Sequence, residues 1–177
     1  MFPFVRFFYA MIRTLGRKPM GPDKTYVSYH RIWPWDIDVF GELNNGRTLT
    51  IMDLNRLPFG ARVGLVKAIR ENGWALTMAG VSVRYRKRVK MFDRVKITCR
   101  IAGRDERFFY LVQTMWLGDE PAHNALYRAV VYSKKDGIVP TQKLGEALGY
   151  PDWNPEMPDW VQNWIDAEAS RPWPPES

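Results

Sequence analysis

The chain has 177 residues, of which 46% are hydrophobic, 14% aromatic and 25% charged. This size and composition are typical of one globular domain and exclude a chain that is disordered throughout. Its single cysteine excludes an intramolecular disulfide, and the presence of only two histidines argues against a metal site, so we expect a reducing, cytoplasmic setting. The net charge of +7 makes polyanions plausible partners, among them nucleic acids, anionic membranes and phosphate-bearing cofactors.

Residues 1–19 are predicted to form an N-terminal amphipathic helix. On a helix, Arg6, Ala10, Arg13 and Arg17 fall on one narrow stripe, and aromatic and aliphatic side chains surround it. Because arginines interrupt the apolar stretch, it does not resemble a signal peptide. The pattern fits a peripheral membrane contact through the apolar face. It fits equally well a helix packed on the domain or on a second subunit, and both interpretations stay open.

Residues 20–140 are predicted to form the main domain. Its predicted elements are a strand, a polar loop, a helix and four further strands, in that order over residues 24–33, 34–45, 46–72, 74–87, 94–101, 108–117 and 125–133. Pro58 predicts that the helix kinks or splits there, and Gly73 predicts a left-handed cap at its end. Since connections this short favour antiparallel neighbours, we expect an α+β fold in which an antiparallel sheet wraps around one long central helix.

Residues 141–177 are predicted to form a helical extension rich in tryptophan and proline. A short helix over residues 141–149 is followed by a tail that is too aromatic for a plain linker. We expect this tail to dock on the domain as a helix over residues 159–169, with Asp159 as its N-cap.

The loop before the long helix contains the residues most able to carry out chemistry. Acidic and amide side chains crowd residues 36–47, immediately before and within the first turn of the helix. Such groups commonly cap a helix and complement its dipole. A carboxylate beside the exposed N–H groups of a helix start also supplies a general base or nucleophile next to an oxyanion site. Residue types alone favour capping.

The motif in this loop resembles that of the hotdog-fold thioesterases of the 4-hydroxybenzoyl-CoA thioesterase type. Residues 36–38 read Asp-Ile-Asp and residues 41–45 read Gly-Glu-Leu-Asn-Asn, in the order and spacing of the family signature Asp-x-Asp followed by Gly-His-x-Asn-Asn. Residues 49–56 (LTIMDLNR) and 83–86 (VRYR) most closely resemble the subfamily of thioesterase superfamily member six. The resemblance covers roughly residues 25–140.

The resemblance assigns roles to individual residues. It implies that Asp38 is the catalytic carboxylate and that Asn44 and Asn45 order the helix entrance. Glu42 stands where the family commonly has histidine, and an ionised glutamate accepts but does not donate a hydrogen bond. Two neighbouring carboxylates would instead raise the pKa of one of them and favour general-base chemistry.

Two basic clusters are candidates for binding the phosphates of coenzyme A. Arg84, Arg86 and Arg88 alternate along a predicted strand and so would share one face. Arg104 and Arg107 lie in a hairpin where related enzymes contact the nucleotide end of coenzyme A. Guanidinium groups suit phosphates, but a solvated sheet face or a charged, protected sheet edge explains the same residues.

These observations predict hydrolysis of an acyl-CoA thioester to the free acid and coenzyme A. The resemblance implies a homodimer whose sheets join edge to edge around the substrate, or a dimer of such dimers. The alternative is a hotdog protein that binds acyl-CoA or lipid without catalysis. We expect no metal and no cofactor apart from the coenzyme A of the substrate. Nucleic acid is disfavoured, because most aromatic residues follow the periodicity of a core. Of the two histidines, His30 and His123, we expect structural or surface roles, and for Cys99 a place in the core.

Overall fold

The computed structural model describes residues 2–172, 174 and 175. Met1, Trp173, Glu176 and Ser177, which belong to the predicted N-terminal helix and C-terminal extension, lie outside the described residues. The helices are α1 (Phe4–Ile12), α2 (Asn45–Arg62), α3 (Leu65–Asn72), α4 (Thr141–Ala147) and α5 (Asp159–Ala169). The strands are β1 (Tyr26–Arg31), β2 (Trp74–Tyr85), β3 (Arg94–Arg104), β4 (Phe109–Leu117), β5 (Glu120–Ser133) and β6 (Gly137–Ile138).

The strands form one antiparallel sheet in the order β1-β3-β4-β5-β2, and β6 pairs with β5. The main core lies where α2 packs on this sheet, with Ile51 and Met52 of the helix against Ile97, Met115 and Tyr127 of the strands. The predicted α+β architecture, an antiparallel sheet wrapped around a central helix, is confirmed. Within the described residues β1 and β2 are its two edges.

The helical segment after the loop breaks at a different place from the one predicted. Pro58 lies inside α2 without ending it, and the helix continues to Arg62. Because Pro58 and its neighbour Phe59 are buried, packing offsets the one backbone hydrogen bond that proline removes. The break comes at Gly64, whose φ of +88° only glycine adopts readily, and α3 begins after it. Gly73 caps α3 in the left-handed conformation, as predicted.

The C-terminal helix α5 covers the outer face of the sheet. Its Val161 is fully buried against Tyr110 and Leu126, so β4 is covered on one face by α5 and on the other by the central helix. The predicted N-cap is wrong: Pro158 occupies that position, and Asp159 is the first helical residue. There its charge complements the helix dipole.

The N-terminal helix α1 packs with its arginine side against the domain. Arg6 donates hydrogen bonds to the Asp36 carboxylate and to the Arg31 carbonyl. The outer side is apolar, with Val5 85% and Leu15 74% exposed. The helix is shorter than predicted because the Thr14 hydroxyl bonds the Met11 carbonyl and a left-handed glycine follows. Among the described residues, no helix has the length and apolar character needed to cross a membrane.

Candidate active site

Asp36 is a buried structural carboxylate at the point where three segments meet. One of its oxygens accepts hydrogen bonds from Arg6 Nη1 at 2.8 Å and from the Trp33 amide at 3.0 Å. The other oxygen accepts from Arg47 Nη2 at 2.7 Å and Nε at 3.2 Å. Because its side chain is fully buried and ion-paired on both sides, Asp36 joins α1, the loop and the start of α2.

Asp38, the carboxylate assigned by the resemblance, is half-buried and held by its own loop. Its Oδ1 accepts hydrogen bonds from the amides of Phe40 at 2.8 Å and Glu42 at 3.4 Å. The Asp38 amide donates to the Glu42 carbonyl at 2.8 Å, which closes the loop. Oδ2 has no hydrogen-bond partner within residues 2–172. One oxygen therefore fixes the carboxylate, and the other is available to a ligand.

The start of α2 presents backbone donors beside this loop. Asn44 is the N-cap, and its Oδ1 accepts from the Arg47 amide at 3.1 Å. Asn45 and Gly46 are the first two helical residues, whose N–H groups have no intrahelical acceptor. The site therefore combines a carboxylate with the partial positive charge of a helix N-terminus.

Glu42 lines a groove of about 220 Å³ on the other side of the loop. Its Oε2 lies 3.1 Å from Arg88 Nε, and Tyr85, Arg86 and His123 also line the groove. The Tyr85 hydroxyl donates to the carbonyl of Asn45 at 3.3 Å. These contacts bring the end of β2 to the start of the central helix.

His123 is a site residue that the sequence analysis missed. It lies buried on β5, with Nδ1 3.2 Å from the Thr48 hydroxyl and its ring against that of Tyr85. Burial lowers the pKa of His123, although a backbone contact with Lys87 and the charge of Glu42 act in the opposite direction. Only the register between β2 and β5, which pairs Tyr85 with His123, brings it to this groove. A local motif therefore could not reveal it.

The three arginines predicted to share a strand face are separated. β2 ends at Tyr85 because the amides of Arg86 and Lys87 both donate to one carbonyl, that of Ala122, and the ladder stops there. Arg84 lies by a groove on the outer side with Trp160 and Trp164 of α5. Arg86 and Arg88 instead line the Glu42 groove.

The second basic cluster lies at the opposite end of the sheet. Arg104 Nη2 donates to the Gln142 side chain at 2.9 Å and is partly covered by α4. Arg107 is exposed beside the ring of Phe108. Within one chain the two clusters are therefore at different ends of the molecule.

An apolar cavity of about 310 Å³ lies at the C-terminal end of α2. It is lined chiefly by aliphatic and aromatic side chains, including Leu57, Phe59, Val66, Leu76, Ile101 and Leu111. Arg56 is the charged residue of its lining, and it is paired with Asp53, bonded to Gln113 and stacked 3.9 Å from the Tyr127 ring centroid. Burial raises the pKa of Asp53. This partly buried ion pair lies on α2 between the Asp38 loop and the cavity.

A comparison with protein families matches residues 32–165 to the model described as the thioesterase-like superfamily. The chain belongs to this superfamily. It is similar to protein THEM6 of Drosophila melanogaster, with 31% identity over 88% of this chain and 79% of that protein. Protein THEM6 of Xenopus laevis is 28% identical over 76% of this chain and 64% of its own length. The matches agree with the predicted resemblance to hotdog thioesterases and to the subfamily of member six.

The fold is also shared with solved structures. The crystal structure of YbaW from Escherichia coli superposes with a TM-score of 0.65 and covers 70% of this chain and 96% of its own. At 18% sequence identity this similarity shows that the two proteins share a fold.

Proposed function

We propose that this protein hydrolyses acyl-CoA thioesters, with Asp38 as general base or nucleophile. The observation that carries the proposal is the Asp38 loop, in which two amides fix one carboxylate oxygen and the other has no partner within residues 2–172. The loop leads directly into the N-terminus of α2, whose first N–H groups have no intrahelical acceptor. In the general-base route the carboxylate takes a proton from water as the water oxygen attacks the thioester carbonyl. The helix amides stabilise the oxyanion, the C–S bond breaks, and the coenzyme A thiolate takes up a proton.

The proposed catalytic unit is a homodimer formed along β2. Tyr85, at one end of β2, contacts the start of α2, whereas Leu76, near the other end, lines the apolar cavity. Along α2, the first cavity-lining residue, Arg56, lies about 16 Å beyond Asn45 within one chain. If two β2 edges pair antiparallel about a two-fold axis, the Asp38 loop of one protomer approaches the cavity of its partner.

This pairing supports a division of the substrate between the two protomers. The acyl chain would occupy the apolar cavity, whose lining offers few partners for a hydroxylated ring, so we propose aliphatic acyl groups. The coenzyme A phosphates would lie between Arg86 and Arg88 of one protomer and Arg107 of the other. Arg84 and Arg104 are less suited, since one lies against α5 and the other is engaged by Gln142.

A second candidate function is binding of acyl-CoA or lipid without catalysis. The observation that favours it is the Glu42–Arg88 ion pair, because the family histidine at this position could donate a hydrogen bond and Glu42 cannot. In this case Asp38 would simply order the loop.

The two functions are separated by measuring thiol release and binding on the same preparation. We expect release of coenzyme A from saturated acyl-CoAs, with a preference that follows chain length. Isothermal titration with a non-hydrolysable acyl-CoA thioether measures binding independently. Tight binding without thiol release at any chain length would refute the enzymatic proposal and favour the binding protein.

A further inference from the structure

A groove of about 560 Å³ separates α1 from β1, on the edge of the sheet away from β2. Among the described residues, five arginines contribute to its walls, and no aspartate or glutamate does. The arginines are Arg6, Arg13, Arg17, Arg31 and Arg94. The groove is larger than any other described above, and the proposed hydrolysis uses none of these residues.

Most of these arginines have no acidic partner in the part of the chain that the structure describes. Arg6 is paired with Asp36, but the other four arginines form no ion pair within residues 2–172. Two of them lie against aromatic rings, Arg13 over Tyr9 and Arg94 over Tyr29. Guanidinium groups gathered around a concave surface repel one another and attract anions.

The floor of the groove adds neutral hydrogen-bonding groups. Asn55 Nδ2 donates to the Ser28 hydroxyl at 2.8 Å, so that hydroxyl is free to donate to His30 Nε2, also at 2.8 Å. A neutral His30 accepting at Nε2 carries its proton on Nδ1. Burial and then the charge of Arg6 lower the pKa of His30 to about 4, so it is neutral at physiological pH. Tyr26 also lines the groove.

The orientation of α1 is a further observation that points to a ligand. An isolated amphipathic helix packs its apolar side on the protein and leaves its charges in water. In α1 the outward side is apolar, and Arg6 of the helix, with Arg13 and Arg17 just beyond its last residue, lines the groove. Arg13 and Arg17 are exposed to solvent, so an anion that enters between the helix and β1 can reach them.

We propose that this groove binds a phosphate-bearing anion with at least two negative charges. Phosphate oxygens match the planar, bidentate donors of arginine, and the neutral donors of the floor would complete the site. A soluble phosphate compound and a phospholipid headgroup share this chemistry. The proposal is independent of the hydrolysis proposed above, because the groove lies along β1 and the acyl-CoA site along β2.

The test compares a groove variant with a control of equal net charge. Arg13→Gln/Arg17→Gln removes two exposed groove arginines, and Arg70→Gln/Arg100→Gln removes two exposed arginines elsewhere. The first probe is pyrophosphate, whose binding is measured by isothermal titration calorimetry at low salt. The second is co-sedimentation with phosphatidylcholine vesicles that contain or lack phosphatidic acid.

We expect the wild type and the control to bind at least one probe, and the groove variant to bind it about tenfold more weakly or worse. Pyrophosphate binding identifies a soluble phosphate compound as the ligand class. Without pyrophosphate binding, a gain in vesicle binding on addition of phosphatidic acid that the groove variant lacks identifies a headgroup. Absence of binding to both probes, or equal affinities of the groove variant and the control, would overturn the proposal.

Discussion

The two aspartates of the Asp-Ile-Asp motif illustrate how one residue type serves different purposes two positions apart. Asp36 is fully buried between two guanidinium groups, whereas one oxygen of Asp38 has no hydrogen-bond partner among the residues that the structure describes. A buried carboxylate that lacks such partners is unfavourable, so the arginines explain why Asp36 can be charged inside the protein.

The Asp36 ion pairs predict a large stability effect for a conservative change. Asp36→Asn leaves Arg6 and Arg47 facing a neutral amide in a buried site, so we expect the free energy of unfolding to fall by about 3–5 kcal/mol. Urea denaturation measures it. Asp93→Asn, in a partly exposed turn, is the matched control with an expected change below about 1 kcal/mol. Equal stability of the two variants would contradict the structural role of Asp36.

His30 predicts a component of the pH dependence of stability. Its pKa is lowered to about 4 in the folded protein, from 6.5 in the unfolded chain, because it is buried near Arg6. The unfolded state therefore takes up a proton first as the pH falls. The contribution of His30 to the free energy of unfolding is therefore fully present above pH 6.5. It decreases by about 3 kcal/mol as the pH falls to 4.

Urea denaturation between pH 4 and pH 7 tests this, with His30→Gln as the control. The variant should lose stability less steeply over this range than the wild type. Parallel curves for the two proteins would show that the pKa of His30 does not differ between the folded and unfolded states.

At the scale of elements, the helices that flank the sheet have different partners. α5 buries Val161 against the outer face, while α1 leaves Phe4, Phe8 and Ile12 more than half exposed. We propose that this apolar side of α1 lies on a membrane surface, as the sequence pattern allowed. Lys18, an exposed basic residue that follows α1 and does not line the groove, would then meet the headgroups.

Removing an outward aromatic side chain of α1 tests the membrane contact. Phe8→Ser should weaken binding to neutral phosphatidylcholine vesicles about tenfold, because a phenyl ring no longer enters the bilayer interface. Trp160→Ser on α5, at similar exposure, should leave binding unchanged. If Phe8→Ser binds as well as the wild type but changes the oligomeric state, the apolar side of α1 contacts a second copy instead.

The parts of the structure that local patterns encode were predictable. Alternation along the strands, the glycine cap and the acidic loop are properties of neighbouring residues, so the sheet, Gly73 and the Asp38 loop followed from the sequence. The role of Asp36 and the position of His123 depend on contacts between distant segments. The break at Gly64 rather than Pro58 depends on how well the buried helix packs, which periodicity alone does not report.

At the scale of the whole molecule, the two edges of the sheet have different surroundings. β1 borders the arginine groove, whereas β2 presents an edge of twelve residues. Exposed edges of this length are usually paired or protected. The proposed dimer pairs the β2 edges of two protomers and also brings the Asp38 loop of one protomer to the apolar cavity of the other.

A charge introduced on β2 should therefore both separate the protomers and reduce hydrolysis. Val81→Glu places a carboxylate on this edge strand, and we expect sedimentation to show a monomer at tens of micromolar, about the range where the wild type should be dimeric. Val27→Glu makes the same change on β1, where Val27 has similar exposure, and should remain dimeric. A wild-type monomer, or equal dissociation of both variants, would contradict the proposed interface.

The most direct test of the central claim is the effect of Asp38→Asn on thiol release and on acyl-CoA affinity. The amide keeps the shape of the side chain and removes its basicity, so hydrolysis should fall by a factor of about a hundred to ten thousand. The dissociation constant for a non-hydrolysable acyl-CoA thioether should change little. Asp119→Asn, in the exposed turn before β5, is the control and should retain wild-type activity. Wild-type turnover by Asp38→Asn would contradict the assignment of Asp38 as the catalytic carboxylate.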